Sequence, residues 1–208
     1  MALFFYKGYR CTIGAVISLK GLPYMVTVSH IFHRGEGDHL TVDGMKVAVT
    51  SILKPFDLAL IELPSNCMFQ ITELGSASEL EQALLVNDIR AIKCRVVNAG
   101  TSLLFLGFQC YNMPEPGDSG SPILQSGKVI GLISSITMDN CMGTAISSSV
   151  IRSMEDYEDK NKDETNKVLL RKQKSFKETK LYKGIKSLLR FSNNLQHDFS
   201  YYFNPVKV

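Results

Sequence analysis

The sequence predicts an all-β protein, folded as barrels or as a sandwich. Over the first 150 residues, short runs rich in Val, Ile, Leu and Thr recur at regular spacing, and Gly, Pro, Asp or Asn separate them. Helical periodicity is almost absent from this part of the chain. An irregular stretch near residues 64–82 divides the runs into two clusters of similar size.

Ten runs are predicted as strands. In the first cluster they are 12–19, 23–29, 39–42, 45–53 and 58–63, and in the second 89–97, 102–109, 121–125, 128–136 and 143–148. Turn signals lie between several of them, because glycine readily adopts the positive φ that tight turns need. These signals are Lys20-Gly21, Gly35 to Asp38, Asp43-Gly44 and Ser126-Gly127.

Length and composition fit one ordinary domain or two small domains closing on each other, since the chain has 208 residues. At 45% hydrophobic and 21% charged residues, it has the composition of a globular protein. The charge is uneven. Residues 1–150 carry 10 Lys and Arg against 12 Asp and Glu, and residues 151–208 carry 13 against 8. A role that depends on basic charge therefore belongs to the tail.

The cysteines indicate free thiols in a reducing compartment. They are odd in number, widely spaced and without a C-x-x-C pair, which argues against a disulfide framework and a zinc site. The five are Cys11, Cys67, Cys94, Cys110 and Cys141. The start, MALFFYKGYR, is too short an apolar stretch for a signal peptide, and no segment reaches the ~18–20 apolar residues of a membrane span. A cytoplasmic protein is expected, in the host cytoplasm if it is viral, with no cofactor or metal.

The C-terminal tail, residues 151–208, has a different character. Residues 155–167, EDYEDKNKDETNK, predict a solvated linker or a frayed helix. Further on, one helical face is apolar and the other is basic. The apolar residues are Leu181, Ile185, Leu188 and Leu189, and the basic ones are Lys180, Lys183, Lys186 and Arg190. A terminal helix with a solvated basic face is preferred, and contact with nucleic acid, a membrane or a protein through residues 160–190 is the alternative.

The segment PEPGDSGSP, residues 114–122, carries the clearest chemical signal. A serine hydroxyl needs a base to take its proton and donors to hold the oxyanion that forms. Gly117 and Gly120 flank Asp118-Ser119 and allow the backbone to bend, so that the N–H groups of Gly117 and Ser119 can point at one spot. Taken alone, GDSG is moderately specific for this chemistry, since a polar turn between two strands also favours these residues.

Two further segments complete a set. His30 follows the apolar run VTVS, where a rigid strand can aim its ring, and Asp57 precedes the apolar run LALIEL. Each has an ordinary interpretation, as a half-buried histidine and as a turn aspartate. Together with Ser119 they stand in the order His, Asp, Ser, which differs from that of the subtilisins and the α/β-hydrolases.

On these motifs the sequence resembles the chymotrypsin-like serine protease family. SHIF is similar to the family's histidine motif, DLALIEL to D-[IL]-A-L-[IL]-x-L, and GDSGSP to G-D-S-G-G-P. The resemblance implies two six-stranded antiparallel β-barrels with the catalytic triad His30, Asp57 and Ser119 between them. One barrel is expected over residues 1–72 and the other over 73–150, followed by the charged and partly helical tail 151–208.

The same resemblance implies a substrate cleft. Ser134 would lie beside the aspartate, Ser135 and Ile136 would border the first specificity pocket, and Gly143 would line its opposite wall. Met113, six residues before the serine, would form the floor. With no acid there, a hydrophobic or small substrate side chain is expected.

Some features depart from the secreted members of the family. Ile31 stands where they have a cysteine, and no Ile-Val-Gly-Gly type start is present to pair with Asp118, which must find another partner. The 27 residues from His30 to Asp57 are typical of compact viral and intracellular bacterial members. The expected function is a serine endopeptidase, processing a viral polyprotein or specific intracellular targets. The alternative is a protease-fold binding protein that is silent or activated by a partner.

Overall fold

The computed structural model describes residues 3–158, with side-chain surroundings as far as Met154. All strands lie within one compact unit that continues through Glu155. The basic helix expected within residues 160–190, and the contacts proposed for it, lie outside the described residues. Within the described range, no helix has the length and apolar character needed to cross a bilayer.

The first half of the chain forms one curled antiparallel sheet of seven strands, in the order β2-β1-β5-β6-β7-β4-β3. The strands are β1 (Leu3–Tyr6), β2 (Tyr9–Thr12), β3 (Ala15–Leu19), β4 (Leu22–Val28), β5 (His39–Val42), β6 (Met45–Leu53) and β7 (Leu58–Glu62). Its concave side buries an apolar core that includes Phe4, Met25 and Ile61.

This sheet differs from the expected six-stranded barrel in strand number and in closure. The sheet has one strand more than expected, and the β1–β2 hairpin lies at one of its edges. The turn residues of this hairpin, Lys7 and Gly8, both have positive φ, as a tight two-residue turn requires. The long strand β6 pairs with β5 along its first half and with β7 along its second, with a bulge between Val49 and Ser51. The bulge bends the sheet around its core.

The second half forms a closed six-stranded antiparallel barrel, in the order β10-β13-β12-β11-β8-β9. Its strands are β8 (Gln82–Val86), β9 (Ala91–Ala99), β10 (Leu103–Phe108), β11 (Pro122–Gln125), β12 (Lys128–Thr137) and β13 (Met142–Ser147). Apolar side chains alternate inward along β9, as its buried residues Ile92, Cys94 and Val96 show. The prediction of an all-β, two-barrel fold is thus confirmed, with one sheet curled and the other closed.

A third apolar cluster joins the two sheets. It contains Ile17 and Val26 from the first sheet and Leu132 and Ile146 from the second. Helix α1 (Ser148–Glu158) follows directly and adds Val150, Ile151 and Met154, all buried. The beginning of the segment assigned to the charged tail therefore packs into the core.

The expectation that all cysteines are free is wrong, because Cys110 and Cys141 form a disulfide, with their Cα atoms 5.2 Å apart. Cys110 follows β10, and Cys141 ends the turn between β12 and β13. Because β10 pairs with β13, this turn lies beside the end of β10 and brings Cys141 close to Cys110. Cys11, Cys67 and Cys94 are free. Burial raises the pKa of the Cys11 and Cys94 thiols to about 12, so they are inert. With a disulfide present, the cysteines no longer argue for a reducing compartment.

Replacing both Cys110 and Cys141 by serine is expected to lower the free energy of unfolding. The bond closes a sequence separation of 31 residues, for which loop-closure entropy gives about 3–4 kcal/mol. Urea unfolding measures the loss, and the free, half-buried Cys67→Ser variant is the control, with little change expected. Thiol titration of the denatured, unreduced protein should count three thiols. Five would contradict the assignment.

Candidate active site

Asp57 lies at the junction of β6 and β7, where a short 3-10 turn, Lys54–Phe56, reverses the chain. It ends this turn in the left-handed conformation, with φ 53° and ψ 40°. A non-glycine residue adopts this conformation at a cost of about 1–2 kcal/mol, and Asp tolerates it better than most residues. The surrounding strands therefore hold the backbone in a strained shape, which aims the carboxylate at the end of β4.

His30 lies in a 3-10 turn, Ser29–Ile31, directly after β4. The Ser29 N–H donates to the Asp57 backbone carbonyl at 2.9 Å, and this bond fixes the turn against the β6–β7 junction. The His30 side chain remains partly exposed. Strand β4 thus delivers the imidazole to the edge of the sheet, as its position in the sequence predicts.

The Asp57 carboxylate accepts four hydrogen bonds. Oδ2 accepts from His30 Nδ1 at 2.7 Å and from Ser134 Oγ at 2.8 Å, and Oδ1 accepts from Ser29 Oγ at 2.8 Å and the His30 N–H at 3.0 Å. With the Nδ1 proton directed at Asp57, Nε2 is the ring nitrogen left to accept a proton from a nucleophile. Ser29 has a role that its position in the SHIF motif alone did not indicate.

These donors decide the ionisation of Asp57. Burial by itself raises the pKa of this carboxyl, but the hydrogen bonds and charge of His30 and the hydroxyls of Ser29 and Ser134 lower it below its ordinary value. The carboxylate is therefore ionised at neutral pH. It can stabilise an imidazolium that forms on His30.

The Ser134→Ala variant is expected to unfold at a higher pH than the wild type on acidification. Because the pKa of Asp57 is lowered by folding, its stabilisation is complete above the ordinary carboxyl pKa and is lost as the pH falls through the folded value. Loss of one donor raises that folded pKa and removes about 1 kcal/mol at neutral pH. Acid titration followed by circular dichroism measures the midpoint.

The matched control is Ser135→Ala. Its exposed hydroxyl pairs with Thr144 Oγ1 at 2.6 Å rather than with Asp57, so the acid midpoint should not move. Equal shifts in the two variants would contradict the role given to Ser134.

The Ser119 loop reaches this corner through its backbone. The Gly120 N–H donates to the Ile133 carbonyl at 2.8 Å, and the Ile133 N–H donates to the Ser121 carbonyl at 3.0 Å. Ile133 directly precedes Ser134, whose hydroxyl binds Asp57. The loop that carries Ser119 is thereby fixed beside the residue that contacts the acid of the His30–Asp57 pair.

Close packing on the first sheet fixes the loop from the other side. A Cβ on Gly120, where φ is +83°, would lie 2.4 Å from Thr27 Oγ1, and one on Gly14 would lie 2.6 Å from the Gly120 carbonyl oxygen. Only glycine allows this approach. Since Thr27 is in β4 three residues before His30, the contact places Ser119 near the histidine.

Ser119 itself is partly exposed. Among the described residues no hydrogen bond joins its hydroxyl to His30, although the loop and the histidine turn share one corner of the molecule. Catalytic hydrogen bonds in unliganded enzymes are often long and tighten only when substrate binds. The structure thus pairs His30 with Asp57 directly and brings Ser119 to them through its neighbours.

Among residues 3–158, some backbone N–H groups of the Ser119 loop donate to backbone carbonyls and others do not. Those of Asp118, Gly120 and Ser121 donate to the carbonyls of Glu115, Ile133 and Asp118. Within the described part of the chain, the Gly117 and Ser119 amides have no such acceptor, and Gly117 has φ +102° with open space on its Cβ side. These are the two N–H groups that the sequence predicts for an oxyanion hole.

The sequence does not identify a partner for Asp118, and the structure provides three. It is buried, and its Oδ1 accepts from Asn87 Nδ2 at 2.6 Å. Its Oδ2 accepts from Arg90 Nη2 at 2.6 Å and from the Glu115 N–H at 2.7 Å. Asn87 and Arg90 flank the β8–β9 turn and carry no motif, so only the fold reveals them. This network holds the Ser119 loop without a new amino terminus.

The predicted pocket residues lie along β12 and β13. Ser134 is at the Asp57 carboxylate, and Ser135 faces outward to Thr144. Ile136 is half-buried and pairs with the buried Gly143 across the two strands. Met113 is buried in the core of the second barrel.

The architecture is the chymotrypsin-like serine protease fold. Solved structures with similar folds include Protease A of Thermobifida fusca, with 15% identity, a TM-score of 0.56, and coverage of 73% of this chain and 91% of that one. A glutamic acid specific serine protease has 13% identity, a TM-score of 0.58, and coverage of 74% and 95%. A human pathogenic astrovirus serine protease has 14% identity, a TM-score of 0.50, and coverage of 70% and 87%. At these identities the likeness concerns the fold. No protein-family profile and no curated protein sequence matches the chain.

Proposed function

We propose that the protein is a serine endopeptidase that cleaves peptide bonds through an acyl-enzyme intermediate. The observation that carries the proposal is the 2.7 Å hydrogen bond from His30 Nδ1 to the partly buried Asp57 carboxylate, which accepts three further hydrogen bonds, beside a serine loop with two unused amides. This is the arrangement that turns a hydroxyl into a nucleophile at neutral pH.

In the first half of the reaction, Ser119 Oγ attacks the scissile carbonyl carbon and its proton passes to His30 Nε2. The Gly117 and Ser119 N–H groups hold the oxyanion, and Asp57 stabilises the imidazolium through Nδ1. The tetrahedral intermediate then collapses, and the amine leaves with the proton from His30. In the second half, water repeats the attack on the acyl-enzyme with His30 as base, which releases the acid and restores Ser119.

The natural substrates proposed are a viral polyprotein or specific intracellular targets. Two observations support a compact enzyme of this kind: 27 residues separate His30 from Asp57, and the Arg90–Asp118 pair is internal to the chain. Because the loop is held by residues already present, no cleavage is needed to create a partner for Asp118. The missing partner of Asp118 was one argument for the alternative of a partner-activated protein, and the Arg90–Asp118 pair weakens that argument.

A fluorophosphonate probe tests the proposal directly. An assembled triad should form a covalent adduct that peptide mapping places on Ser119, and labelling should disappear in the His30→Ala variant. Ser65→Ala, a change at an exposed loop serine, should label like the wild type. Absence of labelling in a folded wild-type protein would favour a binding protein that keeps the protease fold.

A further inference from the structure

Strands β12 and β13, beside the Ser119 loop, are the strands that the sequence predicts for the wall of the substrate pocket. After Ser134 contacts Asp57, β12 continues to Ile136, which pairs with Gly143 of β13. A substrate bound at Ser119 would direct the side chain on the acyl side of its scissile bond into the space between these strands and the loop from Met113 to Asp118. What fills that space determines which side chains can enter.

The aromatic ring of Phe108 lies against the Cβ side of Gly143, the residue predicted for the pocket wall. A Cβ on Gly143 would lie 2.8 Å from Phe108 Cε2 and 3.2 Å from Ile133 Cδ1. The room that the glycine leaves is thus taken by a side chain from the end of β10, and does not open towards solvent. Sequence analysis assigned Gly143 to the pocket wall but gave no indication of Phe108.

Burial shows how little of this space is open. Ile133 is 2% exposed, Met113 8% and Phe108 9%. Side chains lining a deep, open pocket would expose more of their surface, whereas these three pack together in the core of the second barrel. None of them is ionisable, so a charged substrate group would enter without a compensating partner.

We propose that the pocket is shallow and accepts a small, uncharged side chain, of the size of Gly, Ala or Ser, and that Phe108 sets its depth. The substrate class is therefore a polypeptide with such a residue on the acyl side of the cleaved bond. This inference rests on the proposed function for the position of the substrate. Met113 and Ile136 alone predict a substrate side chain that is either hydrophobic or small. The position of Phe108 restricts this expectation to small side chains.

The test uses peptide mixtures that are fixed at this one position as Gly, Ala, Ser, Leu, Phe, Lys or Glu and randomised at the flanking positions. Cleavage by the wild type and retention by the full-length Ser119→Ala variant are both quantified by mass spectrometry. Peptides with Gly, Ala or Ser at this position should be cleaved and retained at least about 10-fold more than peptides with Leu, Phe, Lys or Glu. This is the order of discrimination that a few methylene groups produce in a tight pocket. Equal or better results with Leu or Phe would overturn the proposal.

Replacement of the ring tests its role. Phe108→Leu and Phe108→Ala should raise cleavage of the Leu peptides relative to the Ala peptides by about 10-fold. The matched control is Phe4→Leu, at a phenylalanine that is also buried but lies in the core of the first sheet, and it should leave the preference unchanged. If the Phe108 variants do not fold, the wild-type series decides, and an unchanged preference in folded variants would overturn the role of Phe108.

The two readouts separate this inference from the proposed function. Selective retention of small-residue peptides without cleavage by the wild type would support the pocket and contradict the endopeptidase. Cleavage after large residues would support the endopeptidase and contradict the pocket. Retention of none of the mixtures, with no selective cleavage, would overturn the pocket.

Discussion

The Ser119→Ala variant is expected to lose on the order of 10⁵–10⁶ in kcat, because in the proposed mechanism Ser119, His30 and Asp57 act as one unit. His30→Ala should be about as severe, and the double variant should be little worse than either single one. Residual hydrolysis above the uncatalysed rate would come from the Gly117 and Ser119 amides and from binding. Steady-state kinetics on a peptide substrate found by proteome digestion measures all three.

Ser65→Ala is the control for this series, since it lies in an exposed loop between the two sheets. It should retain wild-type kcat and KM. Wild-type cleavage by the Ser119→Ala variant, or additive losses in the double variant, would contradict the triad assignment.

Arg90→Met is expected to have the largest effect among changes that leave the three triad residues intact. It removes one partner of a largely buried ion pair, in which Arg90 Nη2 lies 2.6 Å from Asp118 Oδ2. Removal of one partner of a buried ion pair costs about 3–5 kcal/mol. The Asn87 and Glu115 donors that remain at Asp118, and the partial exposure of Arg90, place the expected loss at the lower end of this range. The oxyanion amides on both sides of Asp118 should lose their positions, which lowers kcat by about 10²–10³.

Chemical unfolding and kinetics measure the two effects separately. Arg95→Met is the control, because that exposed side chain donates, among residues 3–158, to the Leu80 carbonyl alone, and its loss should have little effect on either quantity. Adding Asp118→Asn to Arg90→Met should restore part of the stability, since no charge then remains buried. Similar behaviour of the Arg90 and Arg95 variants would contradict the role of the ion pair.

The sequence predicts most of the strands because they carry β-branched residues with clear turn signals. Residues 39–42 and 45–53 are predicted with the observed bounds of β5 and β6. The sequence does not predict the β1–β2 hairpin, because its two four-residue strands are short and Lys7 and Arg10 interrupt their apolar pattern. Strand β8, QALLV, was missed because Ala, Leu and Gln favour helices, and tertiary pairing with β9 and β11 overrides that preference.

In the candidate site too, residues within local motifs are predictable from the sequence, whereas residues that act through tertiary contacts are not. His30 and Asp57 are identifiable because each adjoins a strand within a recognisable motif. Arg90 and Phe108 have no local signal, since their roles depend on residues more than 25 positions away. The disulfide was missed because the number and spacing of cysteines do not report that β10 and β13 bring Cys110 beside the β12–β13 turn.

The contact of Gly120 with Thr27 has a consequence for how activity is acquired and lost. The loop with the nucleophile grows out of one half of the molecule but is seated on the other, with no space for even a methyl group between them. All named strands of the described range pair within one sheet or the other, whereas the corner that holds Ser119 needs both sheets. If the protein is the proposed peptidase, its hydrolysis rate should depend on the packing between the two sheets. Loss of that packing should abolish hydrolysis while the circular dichroism spectrum still shows an intact β protein.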